Sequence, residues 1–350
     1  MGNITWSTQY RPKRLKEVCG QETAVSAITG MLRRKQVPSA LMFSGPSGVG
    51  KTTLARMVAM YVNCDTGNAC GKCASCKMRG NHPDITELNA AEARGIDDVR
   101  QLIQKSKYQP RFKTRVFILD EIQGMTPQSL QALLIPFESS PPNTMWCICT
   151  TDPQKLPATM LTRCTKLGLD FPTREDIAGR LRYIAEKEQV DIDESTLLEI
   201  ADASGGHVRE SINILQNVAA SGKDALKTIL ASSNSAAVDL AQEALLGIYS
   251  KQPLKVIKPL FASSDNLALI NQMLWFNQFV LGVFSGSKPG KNLWFTPQNK
   301  AFLTQARKAS TSVHTLLEAH HRLVAARNIM HTVSTSELAL LIDCLTYDLH

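Results

Sequence analysis

The first half of this 350-residue chain is predicted to be an α/β fold with a doubly wound parallel sheet, and the second half to be all helical. Three observations carry the prediction. Five short apolar runs, at 40–43, 84–89, 116–119, 145–150 and 166–169, alternate with helical patterns, as parallel strands do with their crossover helices. The first run leads straight into a glycine-rich loop, and a helical pattern opens at Leu54. After Pro172 the strand runs give way to helical patterns alone.

Taken in order, strand 40–43 delivers the loop Gly45-Pro46-Ser47-Gly48-Val49-Gly50-Lys51-Thr52-Thr53. Its glycines let backbone N–H groups turn inward around phosphate oxygens, Lys51 reaches the outer phosphates, and the Thr52 hydroxyl ligates Mg²⁺. A strand, such a loop and a helix N-terminus together make an anion site, here for ATP or GTP. The plain alternative is a glycine-rich turn without a ligand. Against it stands the run 115–121, an apolar strand ending in Asp120 and Glu121. Asp120 at that edge holds Mg²⁺ and Glu121 orients the attacking water, so the pair implies hydrolysis as well as binding.

Between the loop's helix and the next strand, Cys64, Cys70, Cys73 and Cys76 follow the spacing C-x₅-C-x₂-C-x₂-C. Four thiolates this close fill a tetrahedral Zn²⁺ site with no open position, which makes the metal structural. An iron-sulfur cluster or a redox pair is the alternative. Cys19, Cys147, Cys149, Cys164 and Cys344 lack such spacing and read as ordinary thiols.

Past Pro172, Thr173 caps a helix with Ile177, Leu181 and Ile184 on one face; a second runs from about 194 to Gly205-Gly206; a third buries Val208, Ile212 and Leu215. Beyond 236 all is helical, broken by a loop at 285–291, and it closes on Leu338, Leu341, Ile342, Leu345 and Leu349 at helical spacing. Three domains are expected: 1–171 with a zinc insert at about 64–80, 172–235, and 236–350.

Apolar residues make up 43% of the chain, enough for a sizeable core. The most apolar stretch, 267–284, is interrupted by Asn271, Gln272, Asn277 and Gln278 and falls short of a membrane span. With no apolar signal core at the N-terminus, a cytoplasmic location is expected. Net charge is +8, and residues 1–170 carry 22 Lys/Arg against 13 Asp/Glu, so the excess sits in the nucleotide-binding half. Such a surface suits a nucleic acid backbone, or serves solubility alone.

Together, Tyr10-Arg11-Pro12, Val18-Cys19-Gly20-Gln21, the phosphate loop, the four cysteines, Asp120-Glu121, the segment 150–157 and Thr162-Arg163-Cys164 resemble the clamp-loader ATPases. Within these the similarity is to the gamma/tau type of bacterial DNA polymerase III, and Glu87 to Ala90 with Arg94 to Asp97 resemble replication factor C small subunits. The resemblance implies an AAA+ core, a small helical lid and a helical collar through which five subunits assemble. It implies ATP between core and lid, with Tyr10, Arg11, Val18 and Gln21 near the adenine. Thr151 is then the γ-phosphate sensor and Arg209 the lid arginine, where a solvated helix charge is the alternative. Arg163 is the arginine finger delivered to a neighbour's site, the alternative being a structural ion pair.

The implied partners are a sliding clamp, other clamp-loader subunits or copies of this chain, and primer-template DNA, with no membrane. For DNA the candidates are Arg94 and the backbone N–H groups of Gly95 and Ile96 opening a helix, with Lys105 and Lys107 behind them. Two departures stand out. The usual Asp-Glu-x-His reads Asp120-Glu121-Ile122-Gln123, and Pro136 falls where the next helix should continue and is expected to disturb it. Rival readings are another AAA+ DNA enzyme, such as a branch-migration motor, or a scaffold that holds ATP without turnover.

Overall fold

The computed structural model describes residues 5–90, 95–222, 226, 229, 234–263, 266–285, 297–309, 312–332 and 338–346. They fall into two compact units, Met1–Pro172 with His207–Asn213, and Thr173–Gly206 with Ile214–His350.

The first unit is built on five strands, β1 (Ala40–Ser44), β2 (Ile85–Asn89), β3 (Arg115–Asp120), β4 (Thr144–Thr150) and β5 (Thr165–Gly168). They lie in the order β2-β3-β4-β1-β5, and every neighbouring pair is parallel. Side chains alternate between faces along each strand. Leu41, Phe43, Ile118, Cys147 and Cys149 therefore pack on one side with Leu54 and Val58, whereas Met42, Phe117, Leu119, Trp146 and Ile148 pack on the other with Leu102, Leu130 and Leu133. Because β4 is buried at all seven residues, it reads as a continuous apolar run.

The helices before and between the strands are α1 (Trp6–Gln9), α2 (Glu22–Arg33), α3 (Lys51–Asn63), α4 (Ala74–Met78), α5 (Ile96–Ser106), α6 (Pro127–Glu138) and α7 (Ala158–Leu161). On α3, Leu54, Ala55 and Val58 are fully buried, and each large apolar side chain so buried contributes about 1.5–3 kcal/mol. The expected disturbance at Pro136 does not occur. Helix α6 starts on a Thr126 cap, runs through Pro136 and ends two residues later, at Glu138. Burial of Leu130, Leu133 and Phe137 holds it, and the Ser139 N–H and Ser140 hydroxyl take the carbonyls of Ile135 and Pro136 at 2.9 and 2.6 Å.

The second unit is helical throughout its described residues. Helix α8 (Arg174–Glu188) begins with a reciprocal capping box between Thr173 and Asp176, and α9 (Glu194–Ala203) with an Asp193 cap. After Gly205 and Gly206, α10 (Val208–Ser221) straddles the two units. The rest comprises α11 (Asn234–Tyr249), α12 (Pro253–Ala262), α13 (Asn266–Phe284), α14 (Pro297–Ala309), α15 (Val313–Thr332) and α16 (Leu338–Thr346). One core joins them, including Leu245, Leu260, Met273, Phe276, Leu323 and Leu345. Asn277, one of the polar breaks in the apolar stretch, is fully buried here: it accepts from the Tyr249 hydroxyl at 2.7 Å and donates to the Leu316 carbonyl at 3.0 Å. Among the described residues no helix is long and apolar enough to cross a membrane.

Candidate active site

At the C-terminal edge of the sheet, β1 passes into the glycine-rich loop and α3 begins at Lys51. Gly45, at φ +150°, lies so close to the next strand's exit that a Cβ would sit 2.1 Å from the Leu169 carbonyl oxygen. Gly50 caps α3 in the left-handed region, which turns the first N–H groups of the helix toward the loop. Val49 is buried beneath the loop and Thr53 stands on the first turn of α3.

Lys51 is 5% exposed, and its ammonium donates to the carbonyls of Gly45 and Pro46 at 3.0 and 2.8 Å. Burial holds its pKa below the usual lysine value; the Glu121 and Asp120 carboxylates resist that fall and the Arg209 cation adds to it. The Thr52 hydroxyl donates to Asp120 Oδ2 at 2.7 Å, across 68 residues of sequence, so both predicted Mg²⁺ ligands are already together. A hard oxygen pair beside phosphate-facing amides fits that ion.

Glu121 follows at φ +51°, in the left-handed region, and its N–H donates to Asp120 Oδ1 at 3.1 Å. Its Oε2 accepts from the Gln123 amide and, at 3.3 Å, from the Thr151 hydroxyl. The same Gln123 amide nitrogen donates to Thr151 Oγ1 at 2.7 Å, and Gln123 Oε1 accepts from the Thr150 hydroxyl at 2.7 Å. Glu121 and Thr151 are thus brought together by a residue that the sequence marked only as a departure.

Other placements differ in kind. Tyr10 and Arg11 lie half-buried after α1, and Val18 packs on the sheet core. The Gln21 amide is taken up by the backbone of Asp170, donating at 2.6 Å and accepting at 3.3 Å, which ties the segment before α2 to the end of β5. Arg209 belongs to the first unit and reaches Lys51 electrostatically. Beside it, a residue not singled out from sequence closes over the loop: His207 Nδ1 donates to the Ser47 carbonyl at 2.8 Å, with its ring edge-on to Phe171 at 5.0 Å. Arg163 is paired within its own chain, donating to the Thr159 carbonyl at 2.8 Å and meeting Glu138 at 3.3 Å.

The four cysteines gather after α3. Their sulfurs all lie within 4.8 Å of one another, near the separation of about 3.8 Å that a tetrahedron of 2.3 Å Zn–S bonds requires. Cys64 Sγ accepts from the Cys70 N–H at 3.3 Å, Cys70 Sγ from Lys72 and Cys73 at 3.4 Å, and Cys73 Sγ from Cys76 at 3.4 Å. Such donors stabilise thiolates. At Cys64, hydrogen bonds led by the Thr66 hydroxyl overcome burial and lower the pKa to about 5, whereas burial raises Cys76 to about 12. The donor set fits zinc. Cys147, raised to about 12, and Cys164, raised to about 11, are buried protonated thiols.

Of the proposed DNA contacts, Arg94 lies outside the described residues. Gly95 caps α5 and Ile96 opens it, but Asp97 and Asp98 occupy the same first turn, where their charge opposes a phosphate. Lys105 and Lys107 sit at the helix's other end. Part of the basic excess surrounds a cavity of about 1120 Å³ at the N-terminal ends of β1, β3 and β4, lined by Arg14, Lys16, Arg33, Lys35 and Lys113 with Asp65 as the acid among its lining residues.

A parallel sheet in this order, with its nucleotide loop after β1 and its acidic pair at the end of β3, defines an AAA+ P-loop core, here followed by helices. Solved structures of the Thermotoga maritima RuvB Holliday junction branch migration motor share that fold, with a TM-score of 0.51 and 20% identity over 68% of this chain and 78% of theirs. In sequence, the family model described as "DNA polymerase III, delta subunit" matches residues 20–173. The chain is similar to the tau subunit of DNA polymerase III from Bacillus subtilis, 34% identical over 224 residues, covering 62% of this chain and 40% of that one. It is also similar to tau from Escherichia coli, 32% identical over 273 residues (75% and 41%), and to the gamma subunit from Buchnera aphidicola, 31% identical over 215 residues (60% and 60%). In each case it spans less than two thirds of the relative's length.

Proposed function

We propose that this chain is the ATP-hydrolysing motor subunit of a sliding-clamp loader, using ATP to open a clamp and place it on primer-template DNA during replication. The preformed Thr52–Asp120 contact beside a buried Lys51 carries the hydrolytic half of this reading. The sequence likeness to gamma and tau subunits, set against a likeness to RuvB in fold alone, favours clamp loading over branch migration.

In this mechanism Lys51 exchanges the Gly45 and Pro46 carbonyls for outer phosphate oxygens. Thr52 and Asp120 hold Mg²⁺, which neutralises charge developing on the phosphates. Glu121 orients the attacking water, Thr151 donates to the terminal phosphate, and Arg209 approaches from α10. Arg163 serves the adjoining subunit's site in a ring of five, built from copies of this chain or companion subunits. Its pairing with Glu138 is no obstacle, since that carboxylate is 65% exposed and such pairs are worth about 1 kcal/mol or less.

We assign residues 172–235 to a lid and 236–350 to the collar through which the ring assembles, with zinc in the four-cysteine insert. DNA contact rests on backbone phosphates, along α5 and the basic surface of the first unit, in the cytoplasm at the replication fork.

The test is ATP turnover by the assembled complex with clamp and primed template, comparing wild type with Glu121→Gln. Loss of the water-orienting carboxylate should lower kcat by about 10²–10⁴ and leave nucleotide affinity intact. Equal turnover by the two proteins would sink the hydrolytic role of Glu121, and turnover indifferent to clamp and DNA would sink the clamp-loader reading.

A further inference from the structure

We propose that Gln123 is a positioning residue that links the water-orienting Glu121 to the phosphate-sensing Thr151. The inference rests on the hydrolytic reading above and deepens it. Three facts of geometry support it. The amide's orientation is fixed: the Thr150 hydroxyl, fully buried, donates to Gln123 Oε1 at 2.7 Å while accepting from the Asp152 N–H at 3.1 Å. Turning the amide over would set its oxygen against the Glu121 carboxylate, with no proton between them. The two amide protons are therefore committed, one to Glu121 Oε2 and the other to Thr151 Oγ1 at 2.7 Å. The third side of the triangle is closed by the Thr151 hydroxyl, which spends its single proton on Glu121 Oε2 at 3.3 Å.

That single proton decides what happens when a terminal phosphate arrives. Thr151 has one O–H to give, so donating it to a phosphate oxygen takes it from Glu121. The carboxylate is freed on that side to accept from water instead. Gln123 keeps both partners through the change, because each of its protons points at an oxygen that remains in place. The amide thus holds Thr151 and Glu121 in register while that proton changes partner, without touching the nucleotide. Glu121 gives it little slack, since the left-handed backbone at φ +51° already restricts where that side chain projects.

The experiment compares wild type, Gln123→Ala, Gln123→Glu and Thr150→Val in the assembled complex, reading kcat, KM and pH profile for ATP hydrolysis, with fluorescent-nucleotide binding as a check on folding. Gln123→Ala is expected to lower kcat about tenfold or more with KM within about twofold, the split of an interaction made on the way to the transition state. Thr150→Val, which leaves the glutamine in place but unanchored, should move kcat in the same direction. Gln123→Glu sets a second carboxylate against Glu121, so relative to wild type its kcat should rise as pH falls and the added pair takes up a proton. A Gln123→Ala protein with wild-type kcat, a change confined to KM, or a Gln123→Glu profile parallel to wild type overturns the inference alone. A wild-type complex that leaves ATP intact overturns it together with the hydrolytic reading.

Discussion

Replacing Asn63 with alanine should cost the first unit about 3 kcal/mol. Asn63 ends α3, is fully buried, and joins that helix to the segment leading into β3 through three hydrogen bonds, with a fourth inside the helix. It donates to the Ala59 and Thr114 carbonyls at 3.1 and 2.8 Å and accepts from the N–H groups of Lys113 and Thr114 at 3.2 and 2.9 Å. Alanine leaves three groups of the 113–114 backbone without that partner, and each stranded buried polar group costs about 1–3 kcal/mol. The low end applies because Thr114 also lines the basic cavity, from which water can reach it. Urea unfolding followed by the fluorescence of Trp146, which is itself fully buried, measures the loss. A shift below about 1 kcal/mol would show that water replaces the side chain and that Asn63 does not secure the helix.

Two further outcomes follow from charges in the same unit. Burial lowers the His82 pKa, and Nδ1 accepts from the Asp84 N–H at 3.2 Å, so the folded ring is neutral, with Nε2 donating to Ser75 Oγ at 2.9 Å. An unfolded histidine takes its proton first as pH drops below about 6.5, so this stabilisation is complete above that pH and is lost as pH falls toward the lowered folded value. His82→Gln should flatten that acid limb in urea titrations at pH 7.5 and 5.5, and parallel losses in the two proteins would refute the assignment. Arg163→Ala should change urea stability by less than about 1 kcal/mol, since its partner Glu138 is largely exposed, yet lower turnover of the assembled complex by about 10³ or more. A stability loss with unaltered turnover would return Arg163 to a purely structural role.

What the sequence made legible is what lies close together in it. The glycines, Lys51 and Thr52 sit at fixed offsets within one loop, the cysteines fall within thirteen residues, and Asp120-Glu121 ends an apolar run, so their chemistry could be read without a fold. Gln123 meeting Thr150, His207 meeting Ser47, and Gln21 meeting Asp170 are separated by 27, 160 and 149 residues, and no local pattern announces them. The same holds for Arg56, whose guanidinium grips both oxygens of Glu87 from 31 residues away. Pro136 shows the opposite failure. The local rule was sound, but tertiary burial on α6 outweighed one missing donor near the helix end.

Helix α3 carries Lys51 at its head, while Asn63 closes it and Cys64 follows at once. Thirteen residues make a strut of about 20 Å, with the phosphate cradle moored at one end and the cluster of sulfurs at the other. Buried Leu54, Ala55 and Val58 seat that strut on the sheet along its length, so neither end shifts without disturbing the packing between them.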